Sequence, residues 1–356
     1  MAKQPQKPED NTGRRHVSLY RAYRPASFND VLGQEHITSV LRAAVEQKKL
    51  AHAYLFAGGR GTGKTSMARI LARAVGTSEN DIYEMDAASN RGIEEIRELR
   101  EGVSTLPFES TYKFYILDEA HALTPQAWQA LLKTLEEPPS HVVFVLATTE
   151  LDKVPDTIVS RCQTFSFKKP SHEVLKALAL DVAKKEGAKL APAGAELIAL
   201  MGDGSFRDTL GILQKVLTLS KDSLLTETEV ATVVGAPSSQ LVNDFLHALA
   251  QKDVGGAVSV FHVALAGGAE AKVFCLLATT RVRSVLLLRF APDMKKELQT
   301  NMNENDFELL LRLAGPEGAA INSSVLAELI TALLETSRAP LPAVPLELAL
   351  YRAFGA

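Results

Sequence analysis

Residues 58–65 read GGRGTGKT and fill every position of a phosphate-binding loop: Gly58, Gly59, Arg60, Gly61, Thr62, Gly63, Lys64 and Thr65, with Ser66 directly after. Glycines let backbone amides turn inward around phosphate oxygens, and a helix starting there adds its positive N-terminal end. In that frame Lys64 reaches the terminal phosphates of a nucleotide and the Thr65 hydroxyl ligates magnesium. A chance glycine-rich turn is a poor alternative. An apolar run precedes the loop and an amphipathic pattern follows it, which is the strand–loop–helix context the motif needs.

A second group of polar residues suits the same chemistry. YILDEAH (115–121) puts Asp118 and Glu119 at the end of an apolar run. Asp118 is expected to hold magnesium, and Glu119 to polarise the water that attacks a terminal phosphate. Alone, the acidic pair could equally cap a helix start; the loop upstream favours the catalytic reading. The spelling DEAH is shared with one class of helicases, but no second RecA-like pattern follows. In LATTE (146–150), Thr148 or Thr149 could hydrogen-bond the attacking water or the terminal phosphate, and Thr149 enters the candidate catalytic set. In GSFRDTL (204–210), Arg207 near a helix start could reach the nucleotide phosphates, against the plainer reading of a solvated helix arginine. In AASNRGIEEIREL (87–99), Asn90 reads as a helix cap with Arg91 and Arg97 nearby. That set could touch a nucleic-acid backbone, a reading that weighs evenly against a solvated amphipathic helix. His36, His52 and His121 are not spaced as a metal set, and His121 is assigned no proton-transfer role.

These residues need elements to position them. Short apolar runs at 53–58, 82–87, 113–120, 142–149 and 164–169 alternate with helical patterns such as KTSMARILARAV and PQAWQALLKTLEE. Strand–helix alternation predicts an α/β domain, a mostly parallel sheet covered on both faces. Beyond Pro170 strand signals vanish and the patterns are helical, with Gly187 and Gly204 at ends or turns. The expected organisation is a disordered polar tail at 1–16, a nucleotide-binding domain at 17–170, a helical lid at 171–236, a connector at VVGAPSSQ and a helical domain at 241–356. The chain has 356 residues, 46% hydrophobic and 23% charged, enough apolar matter for several cores. Its formal net charge of −3 argues against a general polyanion binder, so any nucleic-acid contact must be local. Two distant cysteines, Cys162 and Cys275, cannot build a disulfide framework or a cysteine zinc site. With no membrane-length apolar run and no apolar signal core, the expected location is the cytoplasm.

One stretch remains. TIVSRCQTF (157–165) sets Arg161 among apolar residues. It follows the strand bearing Thr148 and Thr149, so it is expected near the nucleotide-side edge of the sheet. A surface pair with Asp156 would be the plain use of this arginine, and would contribute little.

YRAYRPASFNDVLGQEHI, HAYLFAGGRGTGKTS, DEAH, ALLKTLEEPPSHVVFVLATTE, TIVSRCQTF and GSFRDTL occur in order. Together they resemble the AAA+ clamp-loader ATPases, in particular the gamma/tau subunit family of bacterial DNA polymerase III. The resemblance runs from about Val17 onward and is densest over Tyr20–Leu210. It implies an AAA+ module, a nucleotide-binding domain with an all-α lid, followed by an all-α collar through which subunits assemble. It implies ATP and Mg2+ as cofactors, and as partners the delta and delta-prime subunits, other copies of the chain, the sliding clamp and primer–template DNA, without membrane. It implies an ATPase within the DNA polymerase III holoenzyme that opens and loads the clamp during replication. By the matching motifs, Arg161 resembles an arginine finger acting in trans and Arg207 a second sensor. Tyr20 and Arg24 of LYRAYRP resemble the segment framing the adenine.

The sequence departs from that family in one interval. Many members carry a four-cysteine zinc module between the two nucleotide motifs, whereas here LARAVGTSENDIYEMDAASN has no cysteine. No zinc is expected, and a short turn should stand in its place. The sequence ends soon after the expected collar, where the tau form carries a long tail. Two other readings compete: a subunit that binds nucleotide without hydrolysing it, and a branch-migration type of DNA motor. The intact Lys64, Thr65, Asp118 and Glu119 count against the first, and the SRC and LEEPP signatures against the second.

Overall fold

Five runs of alternating or continuous apolar residues become strands: β1 Ala53–Gly58, β2 Ile82–Asp86, β3 Lys113–Asp118, β4 Val142–Thr148 and β5 Gln163–Phe167. They form one sheet in the order β2-β3-β4-β1-β5, with every neighbouring pair parallel. The structure is a computed structural model and describes residues 17–220, 223–300, 302 and 304–355. The N-terminal segment 1–16, expected to be disordered, lies outside the described residues.

The period-two alternation of side chains splits the strands between two cores. Tyr54 and Phe56 of β1, Phe114 and Ile116 of β3, and Val143 and Val145 of β4 share one apolar cluster with Ile37, Leu41, Met67 and Leu71. Leu55, Tyr115, Leu117, Phe144 and Leu146 share the other with Ile96, Trp128, Leu131 and Ile158. The helices covering the first face are α2 (Glu35–Glu46) and α3 (Lys64–Ala74), preceded by the short α1 (Leu19–Ala22). Those covering the second are α4 (Ile93–Val103), α5 (Pro125–Glu136) and α6 (Asp156–Val159). Burial on both faces explains why β4 reads as a continuous apolar run.

The interval from α3 to β2 is a turn with one short helical segment, Glu79–Asp81. Asp81 is fully buried, and its carboxylate accepts from the backbone N–H of Phe108 (2.5 Å), Glu109 (3.0 Å) and Ser110 (2.9 Å). Asn80 Nδ2 donates to Glu109 Oε1 at 3.1 Å. This side-chain network pins the 106–110 loop to the turn.

The chain divides into two compact units, the first running to Leu175 and also taking in Gly202–Gly211, the second comprising Lys176–Met201 and the chain from Ile212 onward. Beyond Pro170 the chain is helical: α7 (His172–Lys185), α8 (Pro192–Met201), α9 (Phe206–Leu219), α10 (Glu227–Val234), α11 (Ser239–Ala250), α12 (Val254–Ala266), α13 (Ala271–Phe290), α14 (Lys295–Thr300), α15 (Glu304–Ala314), α16 (Ser323–Thr336) and α17 (Val344–Phe354). One detail escaped the sequence pattern. Lys189–Leu190 (β6) and Leu224–Leu225 (β7) form a minimal parallel pair, too short to leave a periodic signal. Past Val234 a large cluster centred on Phe245, Phe261, Phe274 and Leu310 forms the core. Arg281 pairs with the buried Asp306 at 2.5 Å, and Asn243 Nδ2 donates to the same carboxylate at 2.7 Å. A buried ion pair of this kind needs such extra hydrogen bonds to offset its desolvation. No helix among the described residues is long and apolar enough to cross a membrane.

Candidate functional site

The phosphate-binding loop leaves the C-terminal end of β1 and closes onto α3. Gly61 (φ 70°) and Gly63 (φ 101°) sit in the left-handed region, where a side chain would be strained. Gly61 is constrained a second time: a Cβ there would lie 2.0 Å from Ser205 Oγ. Thr62 is buried, and its hydroxyl donates to the Gly59 carbonyl at 2.9 Å, closing the loop on itself. Lys64 is buried as well. Its Nζ donates to the carbonyls of Gly58 (2.7 Å) and Gly59 (2.8 Å). Burial lowers the Lys64 pKa, and the charges of Glu119 and Asp118 oppose the shift. Ser66 is half-buried in the first turn of α3, and Arg60 projects from the loop as an exposed residue.

The acidic pair faces this loop from β3. Thr65 Oγ1 donates to Asp118 Oδ2 at 2.7 Å, which puts the two expected magnesium ligands side by side. Glu119 follows with φ 49°, a conformation that a non-glycine residue adopts only when its surroundings enforce it. Its backbone N–H donates to Asp118 Oδ1 at 3.0 Å. Thr149 Oγ1 donates to Glu119 Oε2 at 3.0 Å, from just past the C-terminal end of β4.

The two threonines of LATTE therefore differ. Thr148 is fully buried; its hydroxyl donates to the Glu150 carbonyl at 3.2 Å and lies 3.1 Å from His121 Nδ1. His121, to which sequence reasoning gave no role, also lies 3.5 Å from Glu119 Oε2 and, by Nε2, 3.2 Å from Glu150 Oε1. It bridges the acidic motif and the end of β4. Its place within DEAH was the available signal.

The turn before α9 packs on the loop. The Phe206 N–H donates to the Gly61 carbonyl at 3.0 Å, and Ser205 is buried. Arg207, on the first turn of α9, lays its guanidinium over the Tyr20 ring at 4.9 Å from the centroid. The structure thus brings together Tyr20, Arg207 and the loop, all within the first unit. Arg24 stands exposed a few residues beyond Tyr20.

Two expectations need correction. Asn90 is not a helix cap. The chain after β2 spends residues 87–90 in a turn, with the Asn90 N–H donating to the Asp86 carbonyl at 2.9 Å and Asn90 Nδ2 donating to it at 3.0 Å. The helix starts only at Ile93, and its N-cap is Gly92, which offers no side chain. Arg91 is exposed, and Arg97 pairs with Glu94 on the same helix at 2.5 Å.

Arg161 does not lie at the nucleotide-side edge. It precedes β5, whose first residue Gln163 is level with Tyr54, near the start of β1. The phosphate loop leaves the other end of β1, about 13 Å further along the strand. Nor does Arg161 pair with Asp156. Its Nη2 donates to Glu136 Oε1 at 2.6 Å, and its Nη1 donates to the Thr157 carbonyl at 2.7 Å. Glu136 belongs to the LEEPP segment.

A doubly covered parallel sheet with this loop, acidic pair and strand-end threonine defines a P-loop nucleotide-binding protein of the AAA+ class. Solved structures agree on the fold. The Thermotoga maritima RuvB Holliday junction branch migration motor superposes with a TM-score of 0.51 at 19% identity, covering 83% of this chain and 94% of that one. Residues 33–92 and 76–171 match the family described as DNA polymerase III, delta subunit. Residues 225–356 match domain III of the DNA polymerase III gamma and tau subunits. The chain is 39% identical over 303 residues to the tau subunit of Bacillus subtilis DNA polymerase III, covering 79% of this chain and 54% of that protein. It is 35% identical to the gamma subunit of Buchnera aphidicola, covering 68% of this chain and 71% of that protein. The chain belongs to the gamma/tau subunit family of DNA polymerase III. It spans about half the length of the Bacillus subtilis and Mycobacterium tuberculosis (52%) relatives.

Proposed function

We propose that this chain is the ATP-hydrolysing subunit of a DNA polymerase III clamp loader. In this reading it uses ATP binding and hydrolysis to place a sliding clamp on primer–template DNA in the cytoplasm. The observation that carries the reading is the run of contacts Thr65–Asp118 (2.7 Å) and Thr149–Glu119 (3.0 Å) beside the buried Lys64. It sets two oxygen ligands, one carboxylate base and one cation around the phosphate-binding loop, the donor set that a magnesium nucleotide requires.

In this reading Gly58–Thr65 and Ser66 hold the phosphates, Thr65 and Asp118 hold magnesium, and Tyr20 and Arg24 frame the adenine. Bound magnesium supplies charge neutralisation between the phosphates. The chain's own residues do the rest. Glu119 accepts the proton of the attacking water, Thr149 fixes the carboxylate that does so, and Lys64 and Arg207 offset phosphate charge from two sides. Arg161 cannot serve its own loop, since it sits at the opposite end of β1, so it serves the nucleotide of a neighbouring subunit. Asn90, Arg91 and Arg97 remain candidate contacts for the DNA backbone. Arg91 has an exposed side chain, whereas Asn90 is half-buried and Arg97 is engaged by Glu94. The partners are delta, delta-prime, further copies of this chain, the clamp and primed DNA.

A steady-state ATPase assay with delta, delta-prime, clamp and primed DNA tests the reading. Hydrolysis should be low for the isolated chain and stimulated by the full set. Strand displacement by the chain alone, without clamp or partner subunits, would point instead to a branch-migration type of motor.

A further inference from the structure

The LEEPP and SRC segments lie apart in sequence, and the structure joins them at one ion pair. Glu136 is the last residue of α5, and Arg161 lies just past the end of α6. Arg161 Nη2 donates to Glu136 Oε1 at 2.6 Å, while Nη1 donates to the Thr157 carbonyl at 2.7 Å and meets Ser160 Oγ at 3.4 Å. Two separate elements therefore hold the guanidinium by two of its nitrogens. About a third of the Arg161 side chain stays exposed (34%), as does 42% of that of Glu136. A guanidinium carries five N–H donors in a planar fork. The contacts with Glu136, Thr157 and Ser160 leave donors free to meet a further anion from outside.

We infer that Glu136 is a positioning residue for Arg161: it holds the guanidinium in the orientation in which it meets the phosphates bound by a neighbouring subunit. This rests on the reading of Arg161 as a residue that acts in trans. An exposed ion pair of this kind contributes little to stability. Its value is in orientation. A free arginine samples many rotamers and must give them up on each encounter, whereas a splinted one has already done so. The carboxylate is well suited to this work, since its hydrogen bond to the guanidinium is charge-assisted and directional.

The test uses the complex assembled with delta, delta-prime, clamp and primed DNA. Glu136→Ala should lower kcat for ATP about five- to tenfold, the population effect of releasing one such side chain, with KM for ATP unchanged. Glu136→Gln keeps an acceptor oxygen and should stay within about twofold of the parent. The double variant Glu136→Ala/Arg161→Ala should be no slower than Arg161→Ala alone, because Glu136 acts only through Arg161. Unchanged or raised kcat in Glu136→Ala overturns the proposal. So does an additive loss in the double variant, or a Glu136→Gln enzyme as slow as Glu136→Ala. If Arg161→Ala itself leaves kcat untouched, the trans role of Arg161 fails, an outcome distinct from these. Circular dichroism and nucleotide affinity of each isolated chain separate a folding defect from a slow complex.

Discussion

Thr65 Oγ1 donates to Asp118 Oδ2 at 2.7 Å, linking the first turn of α3 to the end of β3. The hydroxyl and the carboxylate are thus already gathered where a magnesium ion needs oxygen ligands. Removing either should cost metal-dependent affinity and little else. Thr65→Ala and Asp118→Asn should each weaken binding of the magnesium–ATP complex by about tenfold or more, while affinity for nucleotide in EDTA changes by less than about twofold. Titrations with and without magnesium measure both. Equal losses in the two conditions would mean that the pair supports the loop rather than the metal.

Lys64 and Glu119 should separate binding from hydrolysis. Lys64→Ala removes the cation buried at the loop and should weaken ATP binding at least about tenfold. Glu119→Gln keeps the size of the side chain and an acceptor for Thr149, and should bind ATP nearly as the parent does. Its hydrolysis should fall by about a hundredfold or more, since general base catalysis is lost. Stable capture of clamp by Glu119→Gln complexes should accompany this. The same loss of ATP affinity in both variants would undo the division.

Arg161→Ala should leave an isolated chain folded and able to bind ATP, because the side chain sits at the far end of β1 from its own loop. DNA-stimulated hydrolysis by the assembled complex should drop by about a thousandfold where the arginine completes the site. Complexes mixing Arg161→Ala chains with Lys64→Ala chains give the sharper measurement. An Arg161→Ala chain with an intact loop can be served by the arginine of a Lys64→Ala neighbour. When co-assembly in that order is shown, activity no higher than for either variant alone would count against a role in trans.

Asp81 should show a pH-dependent contribution to stability. Burial pushes its pKa upward, but the N–H donations from Phe108, Glu109 and Ser110 outweigh it and hold the pKa below the ordinary 3.8. A depressed folded-state pKa stabilises the native state above the unfolded value, and the contribution fades as pH falls through the folded value. Asp81→Ala should therefore destabilise by about 2–3 kcal/mol at neutral pH, leaving three backbone donors without their acceptor. The gap between variant and parent in urea unfolding should stay level from pH 7 down to about 5 and narrow below about 4. A gap that is constant down to the lowest pH at which both chains fold would rule the carboxylate charge out as its source.

The strands, the loop and the acidic pair were legible in the sequence because their signals are local. An alternation of two in Tyr54–Leu55–Phe56, or a glycine spacing ending in Lys64–Thr65, declares itself within a few residues. The same held for the helices past Pro170, though not for the two-residue strands Lys189–Leu190 and Leu224–Leu225 between them. What sequence could not decide was which end of the sheet a residue occupies and which distant side chain it meets. Arg161 follows β4 in the chain, and sequence order alone places it beside the threonines of that strand. Yet a parallel crossover must carry the chain back past the sheet before β5 begins, and this takes Arg161 to the opposite end. Its partner Glu136 is 25 residues away, fixed by how α5 and α6 pack on one face of the sheet. Asn90 failed as a cap for a similar reason. Capping residues are also turn residues, and only the hydrogen bonds to Asp86 decide which role wins. The loop was written in Gly61 itself, but the approach of Ser205 to that glycine, and of Arg207 to Tyr20, came from packing between segments far apart in the chain.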